Sequence, residues 1–205
     1  MSSEVVTWIS GIIRGGRGKS FIFMSKTYSY ALRAGEDNIT NDVVDHIKSL
    51  TDLQSLSLNT LLPNFSLADL QCTNLTYLDI SGYFRGSYQP QVDQIFQLLQ
   101  KLPYLTHFNM SDQQMSGYSR NHLWNGFNEV WSNHLPFDIC VAGNQIYPTM
   151  FQRFNPNLTT YLGLKKCGLV NNYFMSELAR FTRITHIDIS ENHFEKGFDI
   201  SPLAD

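Results

Sequence analysis

Six segments of the chain share one hydrophobic pattern. They are LQSLSLNTL from Leu53, LTYLDISGY from Leu75, LTHFNMSDQ from Leu105, PFDICVAGN from Pro136, TTYLGLKKC from Thr159 and ITHIDISEN from Ile184. In each, the fourth and sixth positions are apolar: Leu56/Leu58, Leu78/Ile80, Phe108/Met110, Ile139/Val141, Leu162/Leu164 and Ile187/Ile189. Alternate side chains of a strand point to opposite sides, so this spacing predicts a short strand with its fourth and sixth residues in a core. The first positions lie 22, 30, 31, 23 and 25 residues apart, a period that belongs to stacked repeat units. The last three segments end in Asn144, Cys167 and Asn192 at the ninth position. A polar side chain there can turn inward and satisfy backbone groups left free at a bend. Leu61, Tyr83 and Gln113 stand at that position in the first three segments, as departures from the pattern.

The intervals between the segments carry helical spacing. Val43, Val44, Ile47 and Leu50 follow it in NDVVDHIKSL. So do Val92, Ile95, Phe96, Leu99 and Leu102 in PQVDQIFQLLQKL, where Pro90 suits a first helical turn. SRNHLWNGFNEVW repeats the spacing with Leu123, Phe127, Val130 and Trp131, and NYFMSELARF with Phe174, Leu178 and Phe181. Strand, turn, helix is therefore the expected unit, and stacking it yields a curved solenoid. An earlier degenerate unit is expected at Phe21 and Phe23, with residues 1–18 as an N-terminal cap or flexible tail. Residues 19–205 then form a repeat domain of about six to seven units. The last one ends in FDISPLAD without a polar capping helix, which reads as a truncated end or a piece of something longer.

The pattern resembles the leucine-rich repeat, whose consensus is L-x-x-L-x-L-x-x-N/C-x-L. The match runs from about Thr40 to the C-terminus. It implies an α/β leucine-rich repeat solenoid, or horseshoe, with a parallel concave sheet. The helical intervals place the chain with ribonuclease-inhibitor-like repeats, whose convex side is mostly helical.

Composition narrows the function classes. Hydrophobic residues make up 42 % of the chain and charged residues only 16 %, so solubility rests on Ser, Thr, Asn and Gln. A formal charge of −3 gives no general reason to bind nucleic acid or an acidic membrane surface. No apolar run reaches the length of a membrane span, and the N-terminus lacks a signal-peptide pattern. Cys72, Cys140 and Cys167 form no CxxC pair. Sequons at Asn38, Asn64, Asn74, Asn109 and Asn157 matter only in a secreted protein. The expected location is cytoplasmic or nuclear. The stretch RGGRGKS, Arg14 to Ser20, ends like a phosphate loop, but Ile13 stands where the first glycine of that loop is required.

Once the fourth and sixth positions enter the core, the third, fifth and seventh must point out onto the concave face. The third-position column is Ser55, Tyr77, His107, Asp138, Tyr161 and His186, and the fifth is Ser57, Asp79, Asn109, Cys140, Gly163 and Asp188. The seventh is Asn59, Ser81, Ser111, Ala142, Lys165 and Ser190. Rigid aromatics beside carboxylates suit recognition of a polar or basic protein surface. The candidate protein-binding residues are Tyr77, Asp79, His107, Asn109, Asp138, Tyr161, Lys165, His186 and Asp188. A catalytic or metal site does not assemble from these columns. His107 and His186 fall three strands apart, roughly 15 Å, too far for one metal ion or one proton relay. His186 and Asp188 share a face as a surface ion pair, and Cys140 lacks a neighbouring base. The expectation is a non-enzymatic module without a cofactor.

Within leucine-rich repeats, LPYLTHFNMSD, LPFDICVAGN and PNLTTYLGLKKCGL resemble the irregular repeats of the ZYG11/ZER1 family, substrate receptors of cullin-2 ubiquitin ligases. The resemblance implies a docking surface within a degradation complex, with the elongin/cullin-2 complex and a client protein as partners. The tail DISPLAD is also similar to repeats of internalin-like bacterial proteins and of regulatory subunits. A regulatory or scaffold role in another pathway is therefore the alternative.

Overall fold

The computed structural model describes residues 19–25, 29–34, 45, 48, 51, 53–58, 66–83, 89–114, 138–170, 172–196, 199 and 201. Its strands are β1 (Lys19–Ser25), β2 (Ser29–Ala34), β3 (Leu53–Leu58), β4 (Tyr77–Asp79), β5 (His107–Asn109), β6 (Asp138–Cys140), β7 (Tyr161–Gly163) and β8 (His186–Asp188). They form one sheet in the order β2-β1-β3-β4-β5-β6-β7-β8. From β3 to β8 every pairing is parallel, and each strand lies beside its neighbour in sequence. The register aligns equal motif positions, so that Leu56, Leu78, Phe108, Ile139, Leu162 and Ile187 stand in one row.

That register follows from burial. From β3 to β7 the fourth- and sixth-position side chains are at most 1 % exposed. Each contributes about 1.5–3 kcal/mol of apolar transfer, and a one-residue slip would turn the whole row outward. Ile187 and Ile189 on β8 are half-buried, since β8 has a strand neighbour on one side only among the described residues.

The ninth-position side chains join one repeat to the next by a regular rung. Gln113 Nε2 donates to the Ile80 carbonyl at 2.7 Å and Asn144 Nδ2 to the Met110 carbonyl at 2.7 Å. The Cys167 thiol donates to the Val141 carbonyl at 3.4 Å, and Asn192 Nδ2 to the Leu164 carbonyl at 2.9 Å. Each therefore reaches the sixth-position carbonyl of the preceding repeat. Asn144 Oδ1 also accepts from the Gln113 amide at 2.9 Å, and Asn192 Oδ1 from the Cys167 amide at 2.8 Å. Gln113, a departure by pattern, does the asparagine's work with one more methylene of reach. Tyr83 fills its ninth position as a core side chain, 1 % exposed.

The residue before each ninth position from Tyr83 onward adopts the left-handed region: Gly82, Asp112, Gly143, Lys166 and Glu191, with φ between 54° and 71°. This bend aims the ninth side chain back into the stack. Gly143 needs its missing side chain, because a Cβ there would collide with Asp112 Oδ1. Three non-glycine residues hold the same conformation against its steric cost.

Among the described residues, the convex layer holds α1 (Gln89–Leu99), α2 (Asn172–Leu178) and two 3-10 segments, Leu67–Asp69 and Pro148–Arg153. Of the expected positions, Ile95 and Leu99 are buried on α1 and Phe174 and Leu178 on α2, joined by Leu98 and Met175; Phe96 is partly buried, and Leu102 and Phe181 are buried just past the helix ends. Ser66 caps the first 3-10 segment, its Oγ accepting from the Ala68 amide at 3.2 Å. Phe151 joins the second segment to α2, meeting Phe174 and Phe181 edge-on at centroid distances of 5.9 and 6.4 Å. The helix expected over 119–131 lies outside the described residues, as does 41–50 apart from the helical Asp45 and Lys48.

The N-terminal edge differs from expectation. Strands β1 and β2 pair antiparallel, and β1 also pairs antiparallel with β3, setting Phe21 opposite Leu58 and Phe23 opposite Leu56. Phe21 and Phe23 thus belong to a hairpin, not to a further degenerate repeat. The three residues between β1 and β2 allow a tight reversal, whereas a parallel unit needs a long crossover. Lys19 and Ser20 open β1, while a phosphate loop requires a helix to start there.

Candidate functional site

Strand alternation delivers the predicted columns to the solvent face of the sheet, the concave side of this architecture. Tyr77, His107, Asp138, Tyr161 and His186 stand side by side across β4 to β8, and Asp79, Asn109, Cys140, Gly163 and Asp188 form the parallel row two residues on. Tyr77 and His107 are exposed, with ring centroids 6.2 Å apart.

His107 and Asp138 are tied across β5 and β6. Nε2 of His107 lies 2.7 Å from Asp138 Oδ2, while the other carboxylate oxygen accepts from the Thr160 hydroxyl at 2.8 Å. Nδ1 of His107 lies 2.8 Å from Thr106 Oγ1. That hydroxyl donates in turn to the Thr76 carbonyl at 3.0 Å. The same arrangement recurs at β8, where Thr185 Oγ1 bonds the Thr160 carbonyl at 3.1 Å and lies 3.0 Å from His186 Nδ1. Thr76 joins the series, its hydroxyl donating to the Gln54 carbonyl at 3.1 Å. Three of these second-position threonines hold third-position side chains: Thr106 that of His107, Thr160 that of Asp138 and Thr185 that of His186. Sequence reasoning passed over them, although LTY, LTH, TTY and ITH display them at one fixed offset.

The fifth-position residues carry two duties. Asp79, Asn109 and Asp188 each accept from a backbone amide two residues on, at 2.8 Å from Ser81, 3.0 Å from Ser111 and 3.0 Å from Ser190. This is the local side-chain turn that Asp and Asn favour. Asp199 repeats it with Ser201 at 2.9 Å. Asp188 also accepts from the Ser190 hydroxyl at 2.6 Å. The Ser190 hydroxyl, then its amide, then the nearby charge of Lys165 hold the Asp188 carboxyl below the usual carboxylate range. Asp188 is therefore bound by Ser190; the ion pair expected with His186 gives way to the His107–Asp138 pair, which parallel register makes possible.

At the centre of the row, Gly163 makes room for its neighbours. A Cβ on Gly163 would stand 2.7 Å from Cys140 Sγ and 3.1 Å from the Tyr161 hydroxyl. Burial pushes the Cys140 thiol up from its ordinary value, and Asp79, Asp188 and Asp112 add to the rise. Tyr77 is raised by burial, then by Asp79 and Cys140. Tyr161 is raised by burial, then by Cys140, Asp188 and Asp138. The carboxylates of Asp79, Asp138 and Asp188 thus lie close to these aromatic and thiol groups. Lys165 spends its charge on Glu191 at 2.8 Å, which raises its own pKa.

This arrangement is poor in catalytic chemistry. Both ring nitrogens of His107 face fixed partners, and Cys140 is held as the thiol rather than the nucleophilic thiolate. Cys72 and Cys167 are buried, and burial pushes them up to about 11 and about 12. Among the described residues no three His, Cys, Asp or Glu side chains converge as a metal site. No helix among the described residues is long and apolar enough to cross a membrane. What the face offers is a rigid array of aromatic, hydroxyl and carboxylate groups at strand spacing.

No protein-family model and no curated protein matches the sequence. Solved structures do. A TLR13–ssRNA13 complex is similar at 22 % identity and a TM-score of 0.53, over 77 % of this chain and 22 % of that one. An internalin, InlF of Listeria monocytogenes, is similar at 20 % identity and a TM-score of 0.43, over 77 % of this chain and 46 % of that one. The chain therefore spans about a fifth of the first protein and under half of the second. Both are leucine-rich repeat proteins, and the first likeness bears on the fold alone. Together with the parallel sheet and its ninth-position rungs, it makes this chain an α/β leucine-rich repeat solenoid.

Proposed function

We propose that the chain is a protein-interaction module that docks a partner on the solvent face of β4 to β8. One observation carries this reading: Tyr77, His107, Asp138, Tyr161 and His186 stand in register as a continuous row on the solvent face, with His107, Asp138 and His186 each held by a neighbouring threonine hydroxyl. Ordered aromatics on a rigid sheet lose little entropy on binding. The carboxylates Asp79 and Asp188 on the face disfavour a polyanion such as RNA, although ssRNA is what the TLR13 complex contains.

The finer reading is a substrate-receptor or adaptor component of a cullin-type ubiquitin ligase, acting in cytoplasm or nucleus with elongin/cullin-2 and a client. Its support is the resemblance of LPYLTHFNMSD, LPFDICVAGN and PNLTTYLGLKKCGL to ZYG11/ZER1 repeats. Affinity purification followed by mass spectrometry tests both levels. Copurifying elongin and cullin-2 support the ligase reading; their absence beside another stable partner replaces it with a scaffold role. A partner retained by the Tyr77→Ala/Tyr161→Ala protein would overturn docking on this face.

A further inference from the structure

The fifth-position row has an uneven make-up. From β4 to β8 it carries carboxylates at Asp79 and Asp188 with the uncharged Asn109, Cys140 and Gly163 between them, and Ser57 on β3 continues it beyond Asp79. Beside each carboxylate stands a tyrosine of the third-position row. Tyr77 precedes Asp79 by two residues on the same strand and face, and Tyr161 lies on β7 next to the strand of Asp188. The seventh positions beside Asn109 and Cys140 are the short Ser111 and Ala142, and Lys165 stands beside Gly163. The row thus carries two aromatic–carboxylate couples, one at β4 and one at β7 and β8.

From this we propose that the partner segment is an extended peptide carrying two cationic side chains, Lys or Arg, one seated at Tyr77/Asp79 and the other at Tyr161/Asp188. The proposal rests on the docking reading above and names the chemistry of its ligand. A cation gains from the face of a tyrosine ring and from a carboxylate together. The surrounding charges favour it. His107 takes up Asp138, and Lys165 takes up Glu191 at 2.8 Å, so neither ion pair neutralises Asp79. Lys165 does act on Asp188, and an incoming cation at that end shares the carboxylate with it. Asp79 and Asp188 each use one oxygen, Oδ1, on their serine, which fixes the carboxylate in place.

The register sets the spacing. Asp79 and Asp188 lie four strand intervals apart, roughly 19 Å at the usual strand separation. An extended peptide crossing the strands covers that in about six residues. Closely spaced charges cannot reach both ends.

The test uses synthetic peptides of about ten residues in a Ser/Gly background, with two arginines either about six positions apart or adjacent. Binding to the full chain is read by fluorescence anisotropy. The widely spaced peptide should bind about ten-fold tighter than the adjacent one, and Asp79→Asn or Asp188→Asn should each weaken it about three- to ten-fold. Asparagine keeps the turn, as Asn109 does at the same position, so these variants retain the fold. Equal binding of both peptides, or no loss in the asparagine variants, overturns the proposal. Failure of the two readings is distinguishable. A copurified partner lost in Tyr77→Ala/Tyr161→Ala but retained in Asp79→Asn/Asp188→Asn removes the cationic ligand and leaves the docking face. A partner retained in both removes the docking face as well.

Discussion

His107 and Asp138, 31 residues apart in sequence, meet at 2.7 Å across adjacent parallel strands and share a chain of hydrogen bonds with Thr106 and Thr160. Their side chains are 52 % and 30 % exposed, so water screens the pair. A double-mutant cycle with His107→Ala and Asp138→Ala, read by urea denaturation, should give a coupling of about 0.2–1 kcal/mol. A coupling several times larger would mean that the pair anchors the fold rather than the surface.

The rungs should cost far more to remove. Asn144 is 7 % exposed, and its truncation strands the Met110 carbonyl and the Gln113 amide in the core. Asn144→Ala is expected to lose about 2–6 kcal/mol, from roughly 1–3 for each of the two buried groups left unpaired. Asn192 makes the same contacts where water can replace them, so Asn192→Ala should lose about 1–2 kcal/mol. Chemical denaturation of the two variants checks the order, and the reverse order would contradict the ladder.

The left-handed bends predict opposite signs at equivalent positions. Gly143→Ala adds a Cβ against Asp112 Oδ1 at a φ of 71°, and should destabilise by about 1–3 kcal/mol. Lys166→Gly removes a side-chain clash at a φ of 55° and should stabilise by up to about 1 kcal/mol. Thermal melts of both proteins decide this.

Ser190 controls the ionisation of Asp188. Ser190→Ala deletes the 2.6 Å hydroxyl contact, so the Asp188 carboxyl should titrate higher, nearer its ordinary value, in a carboxyl-detected NMR titration. The folded state favours the carboxylate. Its stabilising contribution is therefore full above the ordinary value of about 3.9 and is lost as pH falls through the lowered folded value. The variant should show less of that acid-side loss.

Much of this was legible in the sequence, for a physical reason. Burial at fourth and sixth positions is a period-two signal, and one periodic unit repeated in series determines the parallel register that aligns Tyr77 with His107 and Asp138. Asn144, Cys167 and Asn192 were readable because their types match their hydrogen bonds. Gln113 was harder, since its role depends on reaching Ile80 O from a longer side chain, which spacing alone does not reveal. The fifth-position acids looked purely like binding groups; their turns with Ser81 and Ser190 emerge from backbone geometry. The His107–Asp138 pair needed two residues from different repeats to be considered together. The N-terminal hairpin carries no repeat signature because antiparallel pairing with β3 asks only for extended strands.

At Gln113, Asn144, Cys167 and Asn192 the ninth-position side chain reaches back to the repeat immediately before it. A whole repeat can therefore be inserted or deleted between two rungs with the joint on either side re-formed by the same donor and carbonyl. The outer face can be lengthened or shortened in steps of one strand, and its spacing of recognition groups retuned, without redesigning the core.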